Sequence, residues 1–221
     1  MNETNVDDIK DYLIDAIFAR NDNVVFSSIP YPSPSMVPAK KTWTTKGVGR
    51  VSSEFKPLAN LLNRLLASNG VVVRHVPTLD VLGETVFDDD IVIRIRPVKM
   101  FANDGDYLAT MAHELGHVLY EKTQKKKFKG FFRTVFRDDR DIPVGKRILN
   151  NLPGHFEEIV AEMFAWKICR PHVSGETVAN QTAYLRDRYA SVLCLGVKKH
   201  EARKLFEKAF VRTAKMIANR G

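Results

Sequence analysis

The stretch YLATMAHELGHVLYE, residues 107 to 121, decides the fold of this chain. Its apolar side chains recur every three or four positions, which predicts an amphipathic helix over residues 106 to 121 with one buried face. Inside it, His113-Glu114-Leu115-Gly116-His117 fits the pattern H-E-x-x-H. Residues four positions apart lie about one helical turn apart on the same face, so both imidazoles can reach a single metal ion. The stretch therefore predicts a metal-binding helix.

Glu114 supplies a further functional group on this helix. It is rotated by about 100° from His113, which places its carboxylate near a metal-bound water without making it a ligand. Zinc lowers the pKa of such a water to about 7, and a carboxylate can accept its proton as a peptide carbonyl is attacked. We therefore expect His113 and His117 to bind Zn²⁺ and Glu114 to act as the general base of a metallopeptidase. Two imidazoles and a carboxylate also suit manganese or iron, so these metals stay open.

A catalytic zinc site needs a third protein ligand, and the segment HFEEIVAE, residues 155 to 162, offers one. On a helix, Glu158 and Glu162 share a stripe with alanines, whose small side chains let two helix backbones approach closely. We expect Glu158 to be the third ligand and Glu162 to accept a hydrogen bond from the free ring nitrogen of a ligand histidine. Glu157 is expected to point elsewhere and is the fallback, and His155 is another candidate for the third position.

The rest of the pattern is typical of an α+β domain. Two runs rich in β-branched residues predict strands, and four further segments have helical spacing. The predicted strands cover residues 71 to 76 and 91 to 95, and the predicted helices cover residues 55 to 66, 154 to 169, 175 to 193 and 198 to 219. We expect a small β-sheet packed against a mainly helical body that carries the HExxH helix.

The N-terminal part of the chain differs from this pattern. A short helix is predicted over residues 6 to 18. The segment SSIPYPSPSMVP, residues 27 to 38, places four prolines among serines, which opposes both helix and sheet. We therefore divide the chain into an N-terminal helix with a Pro/Ser-rich arm or small subdomain, residues 1 to 52, and a metallopeptidase domain, residues 53 to 221.

Composition narrows the class of protein and its compartment. The hydrophobic share of 44% is ordinary for a globular protein, and no apolar run approaches the roughly 20 residues of a membrane span. Residues 1 to 10 carry acidic side chains rather than a basic cluster, so we expect no secretory signal. Cys169 and Cys194 lack CxxC spacing and are expected to be buried thiols in a reducing compartment. These features predict a cytoplasmic protein, and they leave its oligomeric state open.

A basic segment follows the HExxH helix, in a chain whose formal net charge is +8. Residues 122 to 137 contain seven Lys or Arg and no acidic residue, with four phenylalanines interleaved. Cations can neutralise phosphates while aromatic rings stack on unpaired bases, so the segment suits single-stranded DNA. A solvated rim of lysines over core phenylalanines, or docking of an acidic protein, are the alternatives. The candidate contact residues are Lys125, Lys126, Lys127, Lys129 and Arg133.

Together these motifs resemble the zincin-like metallopeptidase domain of ArdC-type antirestriction proteins, which are found on plasmids and phages. The resemblance covers residues 55 to 218 with gaps, and it is carried by Gly83-Glu84-Thr85-Val86-Phe87, the HExxH helix, Glu157-Glu158-Ile159-Val160-Ala161-Glu162 and Ala183-Tyr184-Leu185. It implies a zincin-like, gluzincin-like fold that binds zinc, with Glu158 as the third ligand and Glu162 as its support. It also implies an antirestriction role with DNA association, although members carry an N-terminal DNA-binding domain that residues 1 to 52 are too short to form.

Two functions remain open on the sequence alone. In the first, a zinc peptidase hydrolyses a protein or peptide substrate. In the second, the domain keeps its metal but acts as a nucleic-acid-binding or protein-binding module without turnover. Glu114 favours the first, because a purely structural metal site needs no base. The group that stabilises the tetrahedral intermediate is not assigned, and the candidates are Tyr184, Tyr189, His155 and His200.

Overall fold

The HExxH motif lies on the second of the five α-helices in residues 42–123 and 142–218. The structure is a computed structural model that describes Leu13, Ala16, Ile17 and residues 42–123 and 142–218, with side chains from Leu152 onward in the last range. The strands are β1 (Trp43–Thr45), β2 (Val71–His75), β3 (Gly83–Phe87) and β4 (Ile91–Ile95), and the helices are α1 (Lys56–Ser68), α2 (Asp104–Thr123), α3 (Ile142–Cys169), α4 (Gly175–Cys194) and α5 (Lys199–Ala218). The predicted α+β class is confirmed.

The four strands form one mixed sheet in the order β1-β2-β4-β3. β2 and β4 pair in parallel, while β1 and β3 pair antiparallel with them at the two edges. Both predicted strands are confirmed to within one residue. β1 was not expected, because its three residues fell in the region assigned to the N-terminal arm. Trp43 lies opposite His75 and stacks on its ring with 5.2 Å between centroids. So short a strand carries too little alternation to be recognised.

The predicted helices are confirmed, with one difference at the start of α3. We expected a helix from Gly154, directly after a proline, but α3 begins at Ile142 and contains Pro153. A proline inside a helix removes one backbone hydrogen bond and crowds the preceding turn. Leu152 and Phe156, on either side of it, are both buried. The helix therefore runs through the proline at a point where it is packed against the core.

α2 and α3 pack against each other at very short range. A Cβ placed on Gly116 would lie 2.7 Å from Cα of Ala161 and 2.9 Å from its carbonyl oxygen. No residue larger than glycine fits there without a shift of one helix. Ala161 and Ala165 are fully buried, as expected for small residues on the α3 stripe. The glycine inside the HExxH motif therefore allows the two helices to approach.

Part of the N-terminal region packs on the helical body. Leu13 and Ile17 have no exposed surface, and Arg186 of α4 donates from Nε to the carbonyl oxygen of Ala16 at 2.8 Å. These three N-terminal residues are helical, which agrees with the helix predicted over residues 6 to 18. The other residues of that prediction lie outside the described residues. The division of the chain at residue 52 stays a prediction.

Two further expectations concern hydropathy and the cysteines. No helix in residues 42–123 or 142–218 is both long and apolar enough to span a membrane. Cys169 is buried, as expected, but Cys194 is exposed, so the expectation of two buried thiols is wrong for the second. Cys194 is the last residue of α4, where the helix ends at a surface loop.

Candidate metal centre

The two histidines of the motif meet Glu158 of α3 at one point. The Nε2 atoms of His113 and His117 lie 3.1 Å apart. Oε2 of Glu158 lies 3.5 Å from Nε2 of His113, and Oε1 lies 3.6 Å from Nε2 of His117. One potential ligand atom from each residue lies within 4.8 Å of the other two. The structure therefore brings together the three side chains that were predicted as ligands.

These separations fit a single tetrahedral ion. Four-coordinate zinc, with bonds of about 2.0–2.1 Å, has ligand atoms roughly 3.3–3.4 Å apart. The two ring nitrogens lie 3.1 Å apart, and each has one oxygen of Glu158 at 3.5–3.6 Å, Oε2 for His113 and Oε1 for His117. Two imidazoles and a carboxylate are also a donor set that zinc takes in catalytic sites, where a fourth position serves water or substrate. The three side chains could therefore hold a metal ion with little rearrangement.

The Nδ1 atoms of the two histidines, which face away from this point, contact two other carboxylates. Nδ1 of His113 lies 2.7 Å from Oε2 of Glu162, the pairing that we expected. Nδ1 of His117 lies 2.9 Å from Oε1 of Glu157, so the expectation that Glu157 points elsewhere is wrong. Glu157 and Glu158 differ by only about 100° around α3, and both can reach a helix as close as α2. Each imidazole that donates from Nδ1 keeps Nε2 for a metal.

Strand β3 orients Glu114. This side chain is buried, and Thr85 donates from Oγ1 to its Oε2 at 2.8 Å, with a second contact of 3.0 Å to the carbonyl oxygen of Glu114. A Cβ on Gly83 would lie 3.0 Å from Cγ of Glu114, so glycine leaves room for this carboxylate. Neither Gly83 nor Thr85 was expected to take part in the site. Their spacing of two, which puts both on one face of a strand, is the signal that could have found them.

Burial and neighbouring charges shift the pKa values of the site. Burial raises the pKa of Glu114, and the charge of His113 opposes this shift. For His113 itself, burial lowers the pKa, but hydrogen bonds to Glu158 and Glu162 and their charges raise it well above its usual value. For Glu158, burial raises the pKa, while the hydrogen bond and charge of His113 hold it below its usual range. A divalent cation at this point would replace the imidazolium proton as the positive charge among these carboxylates.

Tyr184 of α4 also reaches the site. Its hydroxyl donates to Oε2 of Glu158 at 2.5 Å, and its ring lies edge-on to His113 with 5.6 Å between centroids. The guanidinium of Arg188, one turn further along α4, lies 4.6 Å from the centre of the tyrosine ring. Burial and the charge of Glu158 raise the pKa of Tyr184 above its usual value. The hydroxyl therefore stays protonated and remains a hydrogen-bond donor.

The other candidates for stabilising a reaction intermediate are placed differently. Tyr189 is buried and packs its ring against Phe206 of α5, 5.7 Å between centroids. His200 is exposed near the start of α5. His155, on α3, does not belong to the group of ligand atoms, and its Nδ1 is buried without a hydrogen-bond partner. Of the four candidates, Tyr184 is the one that contacts a predicted ligand.

The candidate nucleic-acid contacts lie outside the described residues. This applies to all five of them: Lys125, Lys126, Lys127, Lys129 and Arg133. Lys122, at the start of the basic segment, is described, and its Nζ donates to the carbonyl oxygen of Asn69 at 2.6 Å. The DNA contact stays a prediction from sequence.

The candidate metal centre is therefore built from side chains of four elements. α2 supplies both histidines and Glu114, α3 supplies three glutamates, and β3 and α4 supply hydroxyl groups. No protein-family model, curated protein or solved structure matches this chain.

Proposed function

We propose that this protein is a zinc-dependent peptidase with a zincin-like, gluzincin-like active site. The observation that carries the proposal is the convergence of His113, His117 and Glu158 from two helices, with contacts of 3.1–3.6 Å between their potential ligand atoms. The resemblance of the HExxH and EExxAE segments to ArdC-type metallopeptidase domains supports the same conclusion.

The surrounding groups support turnover rather than metal storage. Zinc bound by the three ligands would lower the pKa of a water to about 7 and polarise a substrate carbonyl. Glu114 lies on the same helix as both histidines, and Thr85 holds its Oε2. Its other oxygen, Oε1, can accept a proton and later deliver it to the leaving amine. A site that only holds a metal needs no such base.

The sheet edge supports a peptide as the substrate. β3 lies at the edge of the sheet and pairs with β4 alone among the described strands. An extended peptide can add to such an edge through backbone hydrogen bonds. Thr85, in the middle of β3, contacts Glu114, so a peptide along this edge would pass close to the base. This placement favours hydrolysis of an extended segment of a protein.

The alternative is a metal-containing module that binds nucleic acid or protein without turnover, and Glu114→Gln separates the two functions. The variant keeps the shape of the side chain but cannot accept a proton. We expect unchanged zinc content by elemental analysis and a fall in peptide hydrolysis of about 10²–10⁴-fold, measured on a fluorogenic peptide library. Glu121→Gln is the matched control, because Glu121 is an exposed glutamate on the same helix.

The same pair of variants tests the function in cells. Comparison of new protein N-termini in cells expressing the wild type and Glu114→Gln should reveal cleavage products that only the wild type and Glu121→Gln generate. If Glu114→Gln binds metal and has the same effect in cells as the wild type, this would support the binding module and contradict the peptidase.

A further inference from the structure

Arg188 of α4 is a half-buried cation beside the candidate metal centre. Its guanidinium lies 4.6 Å from the centre of the Tyr184 ring. Among the described residues it has neither an ion pair nor a hydrogen bond, whereas Arg186, two residues earlier, donates to the carbonyl oxygen of Ala16. A half-buried arginine without an acidic neighbour is unusual, because its charge is partly removed from water without compensation. The N–H groups of Arg188 are therefore available to a ligand.

Arg188 lies within reach of a predicted metal ligand. Tyr184, one turn earlier on α4, contacts the guanidinium through its ring and donates from its hydroxyl to Glu158 at 2.5 Å. His155 approaches Arg188 from α3, three residues before Glu158. Burial lowers the pKa of this histidine, and the positive charge of Arg188 lowers it further while the charge of Glu158 raises it, so His155 lies near both. Its Nδ1 has no hydrogen-bond partner among the described residues. Two helices therefore place an arginine and a histidine with unused nitrogen atoms next to the same ligand.

The metal centre is open to solvent on this side. The side chain of Glu158 is 32% exposed, against 8% for Glu162 and 13% for His113. Tyr184 and Arg188 are both half-buried, so part of each side chain stays in contact with solvent. A substrate that reaches the metal point from solvent therefore passes close to Arg188.

We propose that Arg188, with His155 beside it, binds a carboxylate of the substrate and gives the peptidase a preference for acidic peptides. The inference rests on the proposed function and names the class of its substrate. Two groups of a peptide supply this chemistry, namely an acidic side chain and the C-terminal carboxylate. Both offer two oxygens to the same cation.

The chemistry of the guanidinium suits this ligand. The group is planar, and its N–H groups point outward in that plane, where two of them can bind both oxygens of one carboxylate. Contact with the ring of Tyr184 holds the guanidinium in place. No acceptor among the described residues competes for its N–H groups. A substrate carboxylate would therefore meet a cation that is already positioned.

The charges of the site make the preference depend on Arg188. Glu114, Glu157, Glu158 and Glu162 bring four carboxylates to the centre. A divalent ion would offset only part of this negative charge, so a further anion would be repelled unless a cation faced it. Arg188 supplies this cation. Its loss should therefore remove the preference for acidic peptides.

The test measures kcat/KM for pairs of peptides that differ in one carboxylate. One series has Glu or Gln at each position flanking the cleaved bond, and a second series has a free or an amidated C-terminus, so that the two series distinguish the sources of the carboxylate. We expect the wild type to prefer the acidic member in one series. Arg188→Gln should lower that preference about tenfold or more, because a hydrogen bond between charged groups is lost. Arg64→Gln, which removes an exposed arginine from α1, should keep it.

Reversal of the charge separates recognition from a role in folding. Arg188→Glu should make the enzyme prefer Lys over Glu, or the amidated over the free C-terminus, in the series where the wild type prefers the acid. Arg188→Lys and His155→Gln should each retain part of the wild-type preference. A misfolded variant loses activity on all peptides alike and cannot reverse a preference. An unchanged preference in both Arg188→Gln and Arg188→Glu would overturn the inference, as would a wild type that distinguishes neither pair.

A binding measurement separates this inference from the proposed function. Fluorescence anisotropy measures the affinity of zinc-loaded Glu114→Gln for the same peptides carrying a label, without any need for turnover. If the wild type hydrolyses no peptide, but Glu114→Gln binds the acidic peptides more tightly and an added Arg188→Gln removes the difference, the peptidase is contradicted and the role of Arg188 stands. Hydrolysis with a preference that Arg188→Gln does not alter would do the reverse. Equal binding of both members of each pair, without hydrolysis, would overturn both.

Discussion

Gly116 of α2 lies directly against Ala161 of α3, so that a Cβ at residue 116 would be 2.7 Å from Cα of Ala161. The contact lies between the two helices that carry the metal centre, three residues from Glu158 along α3. Gly116 also stands between the two histidines in the motif. A position that looks variable in H-E-x-x-H therefore controls whether the third ligand can reach the other two.

Gly116→Ala should destabilise the protein by about 1–3 kcal/mol, because the added methyl group forces the two helices apart. The intrinsic preference of alanine for helices, about 1 kcal/mol, acts in the opposite direction and is outweighed. The matched control is Gly154→Ala, a helical glycine of α3 whose Cβ would meet nothing within 4 Å, and it should stabilise slightly. Chemical denaturation measures both, and a Gly116→Ala protein as stable as the wild type would contradict the packing described here.

Glu162→Gln should weaken zinc binding by about 10–100-fold, because a neutral amide no longer raises the basicity of His113. Glu157→Gln should weaken it less, since the side chain of Glu157 is 34% exposed against 8% for Glu162 and water can replace its contact with His117. Zinc competition titrations measure both affinities. A larger loss in Glu157→Gln than in Glu162→Gln would contradict this order.

Thr85→Val should lower kcat of the peptidase about tenfold or more with unchanged metal content, because the hydroxyl that fixes Oε2 of Glu114 is lost. The shape of the side chain is nearly kept, so β3 should stay in place. Thr182→Val is the control, since its hydroxyl bonds the carbonyl oxygen of Val178 within its own helix. Steady-state kinetics on one peptide substrate distinguish the two variants. Equal kcat values for them would show that Thr85 does not orient the base.

Replacement of the three lysines at residues 125 to 127 by glutamine should weaken binding of single-stranded DNA and flatten its salt dependence. Each lost phosphate contact reduces the slope of log K against log salt by about 0.7. The control replaces three exposed lysines at or near the start of α5 and carries the same net charge; these are Lys198, Lys199 and Lys204. Fluorescence anisotropy at several salt concentrations measures the slope. An identical slope in both variants would show that the basic segment does not contribute to DNA binding.

Local spacing explains why so much of the site could be predicted. His113, Glu114 and His117 lie within five consecutive residues of α2, so the relative directions of their side chains follow from 3.6 residues per turn alone. Glu158 and Glu162 could be paired with them because acids and alanines share one stripe of α3. The structure brings these five residues together, with Glu162 2.7 Å from His113.

The unexpected features lie where distant parts of the chain meet. The contact of Glu157 with His117 depends on how α3 is rotated about its axis against α2, which no spacing within α3 reveals. The hydroxyls of Thr85 and Tyr184 reach the site from a strand and a helix that lie 29 and 26 residues from their partners along the chain. β1 was missed for the same reason, because three residues become a strand only through pairing with β2.

The sequence by itself determined the α+β class, the amphipathic α2 and the order of the potential ligands, because hydrophobic period and residue spacing are properties of a single segment. Only the tertiary structure decided which carboxylate holds which imidazole, which oxygen of Glu158 faces Tyr184 and which strand orients Glu114. Those choices depend on differences of a few tenths of an ångström in the distances between separate elements. Such distances follow from close packing, as at Gly116 and Ala161, and not from any local pattern.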